Sequence, residues 1–218
     1  MMGLMNVLDW YRLFTWLALT AQAGVVALVG LLLAARFGGR ARRALDAVAE
    51  ALAAQGLALA AFVAWVATLG SLYLSEGGHL VPCRLCWFQR IAMYPLAILL
   101  TIAAARRDWG IRIYALTLAA LGAFVSVWHV LVEWQGDLAG ANAPTASNPI
   151  GWIWLRVADL LPALEGVGGK CDPFNPCSAR PLPLRYGYIS IPLMAGTAFV
   201  AIILVLAVGG HRRKEFHP

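Results

Sequence analysis

The stretch Pro82–Ala105 reads PCRLCWFQRIAMYPLAILLTIAAA. Two cysteines at CxxC spacing open it, and from Cys86 to Ala105 it carries one charge, Arg90. At about 1.5 Å of rise per residue that run crosses the roughly 30 Å of bilayer hydrocarbon. Four further runs read the same way without a charge: Leu13–Ala35, Leu52–Ser75, Ile113–Val132 and Gly187–Gly210. Lipid offers no partner to an unpaired backbone group, so each should be a helix. The reading is an all-α membrane protein with five transmembrane helices.

Composition agrees. Of 218 residues, 61% are hydrophobic and 13% charged, and the mean hydropathy is +0.72. A soluble domain of this size has too little interior to hide so much apolar surface. The net charge of +6 raises the question of nucleic acid. No basic cluster with interleaved aromatics supports that partner, and membrane lipid gives Arg and Lys a simpler role.

The basic residues set an expected orientation. Arg36–Glu50, Arg106–Arg112 and the tail after Gly210 fall on one side of five crossings, with ten basic residues against four acidic. That side is expected to be cytoplasmic. The N-terminus, Glu76–Pro82 and the long segment Gln135–Tyr186 then lie outside, and all four cysteines face outward. Leu13–Ala35 is longer than a signal-peptide core, and its arginines follow rather than precede it, so it reads as a retained helix. Within Gln135–Tyr186, Gly140–Pro149 is expected to be irregular. Ile150–Leu164, with Trp152 and Trp154, reads as an interfacial helix or as a loop packed on the bundle. The expected divisions are 1–51 for the first helix and its cytoplasmic loop, 52–210 for a core with external loop 135–186, and 211–218 for a basic tail.

Four cysteines in two close pairs are too few for a disulfide scaffold and match two redox couples. Cys83 and Cys86 stand where loop becomes helix, and the helix N-terminus favours thiolate there. Arg90 is one helical turn after Cys86. It either stabilises a Cys86 thiolate or an anionic electron acceptor, or it snorkels to the headgroups. Cys171 and Cys177 bracket Asp-Pro-Phe-Asn-Pro, a constrained loop whose disulfide is either exchangeable or a static staple. A zinc site built from both pairs is disfavoured by their spacing and by an oxidising outer face, so no metal is expected. His129 and Glu133, at i and i+4, either line an acceptor site and relay protons or mark the interface beside Trp128 and Trp134. Gln89 and Tyr94 are candidates for contact with an acceptor headgroup. Glu76 and His79 read as solvated loop residues.

The stretch Pro82-Cys83-x-x-Cys86-Trp87-Phe88-Gln89-Arg90-Ile91-x-Met93-Tyr94-Pro95 resembles the DsbB family of disulfide-forming membrane oxidases, especially its BdbC-like branch. Pro176-Cys177-Ser178 and Tyr188-Ile189-Ser190-Ile191-Pro192 resemble the same branch. The similarity spans about Leu57 to Val205. It implies a DsbB-like four-helix bundle, here with one extra N-terminal helix, in a bacterial inner membrane. The implied activity is quinone-dependent protein-disulfide oxidoreduction, with ubiquinone or menaquinone as cofactor. The implied partner is an extracytoplasmic thioredoxin-fold thiol oxidase, DsbA-like or BdbD-like. Cys171 would take the mixed disulfide with that partner, Cys177 would pair with Cys83, and Cys86 would engage the quinone beside Arg90. The chain departs from the family in its extra helix and in the short spacing of its second cysteine pair. Two rivals remain at this point: a vitamin K epoxide reductase-like enzyme, whose CxxC comes later in the core, and a membrane scaffold with structural disulfides.

Overall fold

The computed structural model describes residues 7–141, 182, 184 and 186–216. Five long helices account for most of them: α1 (Val7–Ala34), α2 (Gly39–Leu72), α3 (Arg84–Arg106), α4 (Arg112–Ala141) and α5 (Ile191–Phe216). Each contains a window long and apolar enough to cross a membrane, and no strand is present among the described residues. Cys171, Cys177 and the expected interfacial helix Ile150–Leu164 lie outside the described residues.

Several boundaries differ from the sequence expectation. The expected loop Arg36–Glu50 is a brief turn followed by helix from Gly39, with Gly38 as an extended N-cap. That segment alternates Ala and Leu with Arg, Asp and Glu, all but Asp good helix formers, so the helix starts well before the apolar run. Helix α4 likewise continues past Val132 to Ala141, and α5 extends beyond Gly210 through Arg212, Arg213, Lys214 and Glu215, residues of good helix propensity. At its other end α5 starts late, because Tyr186 and Gly187 are held at φ 52° and 79°. Such angles belong to turns rather than helices. Between α3 and α4, Arg107 adopts the left-handed conformation and the Asp108 carboxylate accepts from the Gly110 amide. A single 3₁₀ turn, Trp109–Ile111, completes the connection.

Helices α2, α3, α4 and α5 pack in a ring, each against two neighbours, and α1 packs against α5 and α2. The core alternates small and large residues: Ala60, Ala64, Ala97 and Ala119 against Leu96, Leu100, Phe199 and Ile202. Small side chains let helix backbones approach closely where lipid supplies no hydrophobic drive. Gly122 shows the limit of that approach, since any Cβ there would collide with the Phe199 ring. Outward, the bundle shows Phe62, Ile98, Phe124 and Val127, the apolar surface a bilayer accepts. Near the cysteines, α2 ends in a π-helical turn, Tyr73–Gly77. The chain then passes through His79 at φ 54° to the start of α3. Glu76, expected in a loop, lies in that π-helical turn; both it and His79 are exposed.

Candidate redox site

Cys83 is the N-cap of α3, and its sulfur accepts from the Cys86 amide at 3.2 Å. An N-cap acceptor satisfies one of the backbone donors that a helix leaves orphaned. The helical turn that follows brings the Cys86 sulfur to 2.8 Å from Cys83. His129 reaches across from α4 and places Nε2 3.5 Å from the Cys83 sulfur. Cys83, His129 and Glu133 are buried together with Leu85, Trp128 and Val132. This environment depresses the Cys83 pKa from 9.0 to about 4. The hydrogen bond from Cys86 is the main cause. The His129 bond and charge and the Cys86 amide add to it, and together they outweigh burial, which acts in the opposite direction.

The Cys83 and Cys86 sulfurs and a His129 ring nitrogen lie within 4.8 Å of one another, a donor set that can hold a metal. Two thiolates on one tetrahedral zinc, with bonds of about 2.3 Å, sit about 3.8 Å apart. The 2.8 Å separation here is too short for that arrangement.

On the other side of the cysteines, Arg90 is turned into the bundle at 8% exposure, which removes the snorkelling alternative. Its Nε donates to Ser71 Oγ at 2.9 Å and its Nη2 to the Ser71 carbonyl at 2.8 Å. The guanidinium also stands over the Trp87 ring, 5.1 Å from the centroid. Among the described residues, Nη1 has no hydrogen-bond partner. Gln89 is buried and donates to Ser126 Oγ at 2.9 Å, which in turn donates to the Gly122 carbonyl.

A cleft of about 690 Å³ begins here. Cys86, Gln89, Arg90 and Tyr94 form one part of its lining, and apolar residues of α1, α2 and α5 form most of the rest. The Tyr94 hydroxyl is buried and has no hydrogen-bond partner among the described residues. Cys86 lines this cleft and Cys83 does not. His129 and Glu133, expected near an acceptor, lie off the cleft, with His129 on Cys83. Sequence reasoning missed Ser71, one of two serines near the end of an apolar run with no local signal of its partner.

A family description, "Disulfide bond formation protein DsbB", matches residues 53–209, which take in the CxxC, Arg90, Ser71 and His129. The chain belongs to the DsbB family. Among curated DsbB-family relatives, "Disulfide bond formation protein C" of Bacillus subtilis is 35% identical over 70% of this chain and 91% of its own length. A "Probable disulfide formation protein" of Deinococcus radiodurans is 56% identical over 48% of this chain and 71% of its own. Another of the same description from Oceanobacillus iheyensis is 34% identical over 65% and 79%. No solved structure matches. DsbB membership supports a thiol-oxidase role and disfavours the vitamin K epoxide reductase-like rival. Helix α1 and the start of α2 fall outside the DsbB match.

Proposed function

We propose that this chain reoxidises an extracytoplasmic thioredoxin-fold disulfide donor and passes the electrons to a membrane quinone. Its setting is a bacterial inner membrane, with the N-terminus outside and the C-terminus in the cytoplasm. The observation that carries the proposal is the division of the CxxC, with Cys86 on an apolar cleft beside Arg90 and Cys83 behind it against His129.

The donor's dithiol attacks a Cys171–Cys177 disulfide and leaves oxidised, and the loop pair is reduced. The Cys177 thiolate then attacks Cys83 of the Cys83–Cys86 disulfide, and Cys86 departs into the cleft, where it takes up the proton that Cys171 gives up. Cys171 attacks Cys177 to reclose the loop disulfide and expel Cys83. That step is favoured because a thiol with a depressed pKa is a good leaving group, and Cys83 is held as thiolate by Cys86 and His129. His129 can hold a proton beside Cys83 while the pair is reduced.

The cleft fits a quinone on two observations. The Arg90 Nη1 and the Tyr94 hydroxyl are donors without acceptors among the described residues, suited to a carbonyl oxygen, and the remaining lining is largely hydrocarbon. A quinone bound there supplies a two-electron, two-proton sink. Arg90, fixed by Ser71 and Trp87, orients the acceptor, and Gln89 completes the wall. Closure of Cys83 onto Cys86 restores the starting disulfide.

The test is quinone reduction by the purified protein with a reduced thioredoxin-fold donor. Turnover should be lost in both Cys86→Ala and Cys171→Ala. A folded protein with a competent donor and no turnover on any quinone would leave a scaffold with structural disulfides as the better reading.

A further inference from the structure

Helix α1 has no place in the DsbB match, which begins at residue 53, yet it contributes a large share of the cleft wall. Its cysteine-side half is firmly tied to the bundle. The Tyr11 hydroxyl donates to the Ile189 carbonyl at 3.2 Å. Gln22 donates to Thr197 Oγ1 at 3.1 Å and accepts from the Tyr188 hydroxyl at 3.0 Å. Phe14 packs so closely on Gly70 that a Cβ there would stand 3.1 Å from the ring. Beyond Gln22 the helix stands off from its neighbours. Gly24, Ala27, Leu28 and Leu31 line the cleft, and a Cβ added at Gly24 would meet nothing within 4 Å. From Phe14 to Leu31 the α1 wall runs about 25 Å at 1.5 Å per residue. The cleft is therefore long, apolar and polar-tipped, and its volume lies within the ~300–1,000 Å³ of small-molecule sites.

We infer that α1 is the side wall of a channel for the isoprenoid tail of the quinone, held between α1, α2 and α5 rather than in bulk lipid. The inference rests on the proposed quinone activity. It goes further by giving the extra helix a ligand-binding role. The tip distinguishes this occupant from a phospholipid. Two of the three Arg90 nitrogens are already committed to Ser71, and the site is buried. A neutral carbonyl loses little on entering such a site, whereas a phosphodiester must shed its hydration. The hydrocarbon part gains its hold from dispersion contacts along the groove.

The test uses the full chain in bilayer discs and two photoreactive quinones, one with the reactive group at the far end of the tail and one with it on the head. After irradiation, labelled peptides are mapped by mass spectrometry. Tail label should fall on α1 between Gly24 and Leu31 and on α5 near Leu204. Gly24→Leu fills the open space and should abolish the tail label beyond that point. It also replaces a helix breaker by a helix former, so folding should not suffer. Val26→Leu, on the face of α1 that is 70% exposed, should keep the label. Tail label on phospholipid, or on outward residues such as Ile98 and Phe124, with head label still on Cys86–Tyr94, would overturn the channel alone. Absence of both labels, with no quinone turnover, would overturn the channel together with the proposed function.

Discussion

Ser71→Ala is the most incisive perturbation, because it touches neither cysteine nor the arginine itself. The substitution removes the Oγ that accepts from Arg90 Nε at 2.9 Å and leaves the 2.8 Å bond from Nη2 to the Ser71 carbonyl. A hydrogen bond from a charged donor contributes about 1.5–3 kcal/mol. The low end applies, since the second bond and the Trp87 stack, worth about 0.5–2 kcal/mol, keep the guanidinium nearby. At about 1.4 kcal/mol per decade the expected loss is about tenfold. It should appear mainly as a higher KM for quinone, because in the proposed reaction Arg90 orients the acceptor. Steady-state quinone reduction gives the KM, and stopped-flow reduction of Cys83–Cys86 by the donor isolates exchange, which should keep its rate. Ser71→Thr retains the hydroxyl and should restore the KM. An unchanged KM in Ser71→Ala, alongside an Arg90→Lys variant that binds quinone poorly, would refute the positioning role.

Two further outcomes follow from the geometry. The Cys83 pKa is depressed to about 4, so the thiolate persists as pH falls and is lost only as pH drops through about 4. The ultraviolet thiolate absorbance of Cys83 in the reduced protein should persist to about pH 5, where an ordinary thiol is protonated. Cys86→Ala removes the largest cause and should move this profile towards alkaline pH more than His129→Phe does. Gly122→Ala gains about 1 kcal/mol of helix propensity but forces a Cβ into the Phe199 ring, an overpacking cost of about 1–3 kcal/mol. The expected net is a lower melting temperature in detergent, and an unchanged or higher one would contradict the packing described.

The five spans were legible because uninterrupted apolar runs leave the backbone one option in lipid. Their ends were not, because hydropathy marks where a helix leaves hydrocarbon and not where it stops. Arg40–Glu50 is charged enough to read as a loop and rich enough in Ala and Leu to remain helix. At the site, Cys83, Cys86 and Arg90 could be read together because two successive helical turns join them. The approach of His129 to Cys83 spans 46 positions and that of Ser71 to Arg90 spans 19. Nothing local marks either partner. The cleft needs four helices to exist, so no single segment announces it, and the wall supplied by α1 was visible only as an extra span.

Using a sulfur to cap α3 ties the end of that helix to electron transfer. A thiolate at Cys83 is a better acceptor for the Cys86 amide than the neutral sulfur of a disulfide, so the cap is strongest when the pair is reduced. An N-cap is worth about 0.5–2 kcal/mol. With about 30 mV corresponding to 1.4 kcal/mol for a two-electron couple, the cap raises the reduction potential of the Cys83–Cys86 pair by up to about 40 mV. The first turn of α3 thereby makes the CxxC a stronger oxidant.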